Sequence, residues 1–148
     1  MTINNLTYRF ITVKPHKFFG YQPIGLLGHT IQIAEREKAV ADAFDRPDLV
    51  RGVLEAAKSL YFGKTELDWD KVVAYSLKLD NQTAQRRLGF WLELLRLGDE
   101  RQWSRLESQS GHGYAPLEPA GSTTGTPNTR WRLTINIPER QLLEWQEH

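Results

Sequence analysis

Apolar positions along this chain recur with two different periods. Near the start the period is two. Leu6, Tyr8 and Phe10 alternate with Thr7 and Arg9, which predicts a strand over Leu6 to Val13. Phe18 to Ala34 reads as strand, turn, strand, with Gly25 and Gly28 punctuating the turn and Thr30-Ile31-Gln32-Ile33 alternating into the second strand. The period then changes to that of a helix. Glu35-Arg36-Glu37 suits a helix start, where acids meet the positive end of the macrodipole, and Val40, Ala43 and Phe44 form the apolar stripe until Pro47. Asp48, Asp68 and Asn81 are candidate caps for three further helices. Their stripes run through Leu49, Val50, Val53, Leu54, Ala57 and Leu60, then Trp69, Val72, Val73 and Leu77, then Ala84, Leu88, Trp91, Leu92 and Leu95. A short polar helix through Trp103 and Leu106 follows.

Ser108 to Thr129 has four Gly, three Pro and no period, so it reads as a long, functional or disordered loop. Arg130 to Ile137 then alternates again. Trp131, Leu133, Ile135 and Ile137 face one way and Arg130, Arg132, Thr134 and Asn136 the other, with Pro138 at the end. Glu139 to His148 suits a last helical turn or two. Strands, helices and a returning strand predict an α+β fold over a single domain, residues 1–148. The expected architecture is a small, mostly antiparallel sheet, made of the N-terminal strands plus the returning C-terminal strand, with a central segment of four to five helices.

Composition narrows the function classes. The net charge of +1 predicts no strong general attraction to nucleic acid or membrane. The chain has no cysteine, which removes disulfides, Cys-ligated zinc and thiol catalysis and suits a reducing cytosol. The start lacks a signal-peptide pattern, and Phe18 to Ala34, the longest apolar-leaning run, is broken by three Gly, one Pro and two Gln. The expected location is the cytoplasm. Charge placement adds more. Met1 to Ala34 has Arg9, Lys14 and Lys17 and no acid, and Pro119 to Pro138 has Arg130 and Arg132 and no acid. If these segments share a sheet, that sheet presents a basic face.

Catalytic signatures are missing. There is no phosphate loop, no GxGxxG and no GxSxG, and His16, His29, His112 and His148 lack metal-ligand spacing. No enzyme activity and no cofactor is expected. Glu35-Arg36-Glu37-Lys38 superficially resembles the Glu-x-Lys of metal-dependent nucleases, but its spacing differs and it opens a helix. The stretch Gln85-Arg86-Arg87-Leu88-Gly89-Phe90-Trp91-Leu92-Glu93 is the most specific segment. An interior helical Gly costs about 1 kcal/mol against Ala, so Gly89 marks a close contact. Arg87 has two readings, an ion pair with Asp42 or Glu93 or a place in a binding site. Arg86 is either solvated or part of a phosphate or partner site. Arg130, Arg132, Arg9 and Lys14 could form the basic patch. Trp131, Trp91, Phe90 and Trp69 are expected in the core.

Taken in order, Ile31-x-Ile33-x-Glu35-Arg36-(x)3-Val40-Ala41-Asp42-(x)4-Pro47, then Arg86 to Glu93, then Leu117-Glu118-Pro119 and Arg130-Trp131-(x)4-Asn136 resemble the C-terminal domain of AbiEi-type antitoxins. These belong to type IV toxin–antitoxin and abortive-infection phage-defence systems. The resemblance covers roughly residues 18–137 and departs at Glu118, where the family pattern has Asp, and at Glu37-Lys38-Ala39. The family's N-terminal winged helix, which binds the operon's promoter, has no counterpart here, so a truncated, split or stand-alone member is expected. The resemblance implies a non-enzymatic domain that counteracts a nucleotidyltransferase-like toxin without a stable complex. It leaves Arg86, Arg87, Arg130, Arg132 and Arg9 as the expected contact residues, with RNA or DNA as the partner of a basic face. The competing readings are a nucleic-acid module unrelated to toxin control, a metal-dependent nuclease and a protein-interaction domain.

Overall fold

The computed structural model describes residues 2–3, 6–7, 14–107 and 113–147. The fold is α+β, with a helical centre and small sheets at its margins. Of the strand predicted over Leu6 to Val13, only β2 (Leu6–Thr7) is described, paired antiparallel with β1 (Thr2–Ile3); residues 8–13 lie outside. The predicted strand–turn–strand is the ribbon β3 (Tyr21–Leu26) and β4 (His29–Ala34), paired antiparallel from Tyr21↔Ala34 to Leu26↔His29. Leu27 and Gly28 turn it at φ 52° and 78°, the two-residue geometry that matches strand twist. Gly25 lies in the strand instead.

Five helices follow: α1 (Arg36–Asp45), α2 (Val53–Phe62), α3 (Trp69–Leu79), α4 (Gln82–Leu95) and α5 (Glu100–Leu106). Their stripes meet in a core that includes Phe44, Leu60, Val73, Leu88, Trp91 and Leu92, all fully buried. Asp68 accepts from Lys71 N at 3.3 Å and Asn81 from Ala84 N at 3.1 Å, so both predicted caps hold. Asp99 opens α5 with a reciprocal capping box through Gln102. Ribbon and helices join at Lys38, which is buried with its Nζ 2.7 Å from Asp42 Oδ1 and 4.7 Å from the Phe19 ring centroid. Glu35 closes the same joint. Its carboxylate accepts from Tyr75 OH at 3.0 Å and Lys71 Nζ at 2.5 Å, and the Lys71 bond leads in holding its pKa below the ordinary range.

Two expectations are corrected here. Asp48 does not cap α2. Residues Pro47–Val50 form a 3-10 turn, Arg51 and Gly52 adopt φ 68° and 114°, and Asp48 pairs with Arg46 at 2.8 Å. The cap comes from 65 residues downstream, where Glu118 Oε2 accepts from Val53 N at 3.1 Å. Nor does the returning strand join the N-terminal ones. β5 (Ala115–Pro116), β6 (Thr126–Asn128) and β7 (Leu133–Ile135) form a separate sheet with β7 central, parallel to β5 and antiparallel to β6. The loop predicted over Ser108 to Thr129 therefore supplies two of its strands. α6 (Glu139–Leu143) and a 3-10 turn, Glu144–Glu147, complete the described chain.

Candidate functional site

α4 faces the segment from residue 113 to 136, and the two are linked along their length. Positions 86, 89 and 93 share one helical face by their i, i+3, i+7 spacing. Arg86 Nη1 donates to the carbonyls of Gly113 at 3.2 Å and Arg132 at 3.1 Å. The Arg132 carbonyl also accepts from Ala115 N at 3.2 Å, so the guanidinium extends the β5–β7 ladder. Arg87 donates from Nε and Nη2 to the Pro116 carbonyl at 3.1 and 2.9 Å. It makes no ion pair with Asp42 or Glu93. Asp42 is held by Lys38, and Glu93 is turned toward Arg130 and Trp131. Burial is the leading cause that lowers the pKa of both Arg86 and Arg87.

Gly89 marks the close contact its position predicts. A Cβ there would lie 2.2 Å from Trp131 Cζ3 and 2.3 Å from Cη2. Trp131 is fully buried, as expected, and its indole N–H donates to Glu93 Oε1 at 3.1 Å. This inward turn is why the strand expected over Arg130 to Ile137 is shorter. Asn128 Oδ1 accepts from Trp131 N at 3.0 Å, Arg132 takes φ 50°, and the ladder starts only at Leu133.

Arg130 and Arg132 therefore do not project from one strand face. Arg130 lies against the Trp131 ring and is surrounded by three carboxylates, bonding Glu93, Glu100 Oε1 at 2.5 Å and Glu107 Oε1 at 2.5 Å. These partners, the Glu100 bond foremost, push its pKa up. Arg132 is engaged as well. Arg9 lies outside the described residues, and Lys14 is exposed ahead of the ribbon. The basic patch expected from the charge distribution is not assembled from Arg130 and Arg132, because one is neutralised locally and the sheets are separate.

Glu118 and Asn136 close the far end of this contact. Asn136 Oδ1 accepts from Glu118 N at 2.9 Å, and its Nδ2 donates to Glu118 O at 2.8 Å. This exchange aims the Glu118 carboxylate at the start of α2. Two adjoining concavities of about 620 and 240 Å³ share Arg51, Gly52 and Glu118 as walls. Asp45, Asp48, Arg87 and Pro119 line the larger one, and Asn136, Ile137 and Gln141 the smaller. Sequence reasoning missed this groove. Its signals, a Glu two residues from a Pro-flanked strand and an Arg-Gly step before a helix, acquire meaning only when the two segments meet. Removing the cap gives a direct check. Glu118→Ala is expected to cost about 1 kcal/mol, read as a lower urea midpoint with an unchanged slope.

Among the described residues no group of three or more His, Asp or Glu is arranged to hold a metal ion, and no helix is long and apolar enough to cross a membrane. The ribbon carries a different feature: Ile24, Leu27 and Ile33 are exposed apolar side chains, and Phe18, just ahead of it, is exposed as well. Comparison with protein-family models, with curated proteins and with solved structures finds no match.

Proposed function

We propose that this chain is a non-enzymatic, antitoxin-like domain of a type IV toxin–antitoxin system, acting in the cytoplasm against a nucleotidyltransferase-like toxin. The supporting observation is the way the segments that carry the resemblance meet. Arg87 holds Pro116, Gly89 seats Trp131, Glu93 holds Arg130 and Trp131, and Asn136 holds Glu118. Residues scattered over the sequence pattern thus form one joint in three dimensions. Motifs that lock a fold together in this way account for a resemblance carried by spacing and order. On this reading the arginines expected as contacts serve architecture, and the antitoxin effect belongs to the folded surface. Expressed beside the nucleotidyltransferase-like toxin encoded nearest to it, the chain is expected to restore cell growth. Continued toxicity with soluble, folded chain would remove the antitoxin reading.

A protein-interaction domain is the second reading, and the ribbon favours it. Two strands alone are marginal in water, and this pair leaves Ile24, Leu27 and Ile33 exposed. Ile24→Asp with Leu27→Asp is expected to leave the helical core folded. Loss of growth rescue in that variant would assign the contact surface to the ribbon.

A further inference from the structure

Every carboxylate on the wall of the larger concavity already has a partner. Asp45 accepts from Lys17 Nζ at 2.8 Å and from Asn81 Nδ2 at 2.9 Å, Asp48 is paired with Arg46, and Glu118 caps α2 through Val53 N. The two arginines on the same wall differ. Arg87 is only 8% exposed, yet its two hydrogen-bonding nitrogens both reach one neutral carbonyl. Among the described residues neither Arg87 nor Arg51 has a carboxylate within ion-pair distance. A largely buried cation that makes no ion pair, with only the through-space charge of Glu118 acting on it, is costly to desolvate. Here it borders a concavity of about 620 Å³, within the size range of small-molecule sites. Arg51 stands on the opposite side of Gly52 from α2, in a left-handed conformation that fixes where its side chain departs.

We infer that the groove between Arg51 and Arg87 binds the oxyanion group, phosphate or carboxylate, of a small anionic molecule. A guanidinium offers a planar fork of N–H donors that matches such a group in two-point contact. Arg87 supplies a fixed, buried charge tied to β5, and Arg51 supplies the solvent-side charge that closes over the ligand. The volume exceeds that of a bare phosphate, so the concavity has room for the remainder of the molecule. Asp45, Asp48 and Glu118 set the limit on charge. None of them makes an ion pair with Arg51 or Arg87, but Glu118 acts on Arg87 through space and the three together disfavour a highly charged anion.

Titration of the ¹⁵N-labelled chain at constant ionic strength tests this, with inorganic phosphate, adenosine 5′-monophosphate and acetate as separate probes and chloride as the reference. Saturable shifts of the Arg51, Gly52 and Val53 amides are expected with at least one probe. Arg51→Gln, a change at an exposed position, is expected to weaken that binding at least tenfold. Tighter binding of the nucleotide than of phosphate would locate the organic part in the groove. Equal binding of the two would assign the site to the oxyanion alone, and preference for acetate would assign it to carboxylates. Absence of saturable shifts with all three probes, or binding unchanged in Arg51→Gln, would overturn the site. Growth rescue and oxyanion binding are separate properties, so either can fail without the other.

Discussion

Gly89→Ala is expected to destabilise the fold by about 2 kcal/mol or more, although alanine is the better helix former by about 1 kcal/mol. The added methyl would sit 2.2, 2.3 and 2.9 Å from three atoms of the Trp131 ring. The ring has little room to yield. It is fully buried, its indole N–H is bound to Glu93, and the backbone N of Trp131 is bound to Asn128. The overlap must therefore open α4 away from the 113–136 segment or expel the tryptophan. A urea midpoint measures the loss. Trp131→Leu alone is expected to cost about 3 kcal/mol through the cavity it leaves. In that background the Gly89→Ala cost should vanish or change sign, because the clash is gone and the helix preference remains. Residues in direct contact show such coupling, whereas independent sites add. Additive losses from the two changes would contradict the packing of Gly89 against Trp131.

Arg130→Gln is expected to cost about 1 to 2 kcal/mol at neutral pH, and the cost should depend on pH. The arginine is about a quarter exposed and its partners more so, which keeps each pair near the value of surface salt bridges. The effect comes from three pairs acting on one cation. Glu100 is held below its ordinary value of 4.5, first by its bond to Arg130 and next by Ser104. A carboxylate with a depressed folded pKa stabilises the fold above its unfolded value, and that contribution is lost as pH falls through the lowered folded value. The wild-type chain therefore loses this contribution below about pH 4.5. In Arg130→Gln the Arg130 share of that contribution is missing from the outset, and the three carboxylates it held are left facing one another. The stability gap between the two chains should be widest near pH 7 and shrink below about pH 4.5. Thermal unfolding followed across that range reads it directly, and a gap that widens on acidification would contradict the three-carboxylate arrangement.

Local signals in the sequence were sufficient for the helices. The stripes of α2, α3 and α4 repeat at helical spacing, and Asp68 and Asn81 cap from within their own turns. Gly89 was also readable, because an interior glycine in a strong helix demands a reason, and the buried Trp131 is that reason. The arginines were not. Arg86 and Arg87 reach backbone carbonyls 27 to 46 residues away, which no sequence pattern marks, and Arg130 reaches carboxylates 23 to 37 residues away. The turn at Arg130 to Arg132 defeated the alternation of Trp131, Leu133 and Ile135 for a similar reason. Burial against Gly89 and the Asn128 cap outweigh strand propensity there. The Glu118 cap lay furthest from view, since a carboxylate in one loop and a helix start 65 residues earlier share no local signature.

The most direct test of the functional account is growth rescue by Arg130→Gln compared with the wild-type chain, each co-expressed with the nucleotidyltransferase-like toxin and each checked for fold by circular dichroism. The account predicts that both restore growth, because the charge of Arg130 is engaged by Glu93, Glu100 and Glu107 and the folded domain carries the effect. Rescue lost in Arg130→Gln with the fold intact would contradict it and return the arginine to a basic contact surface.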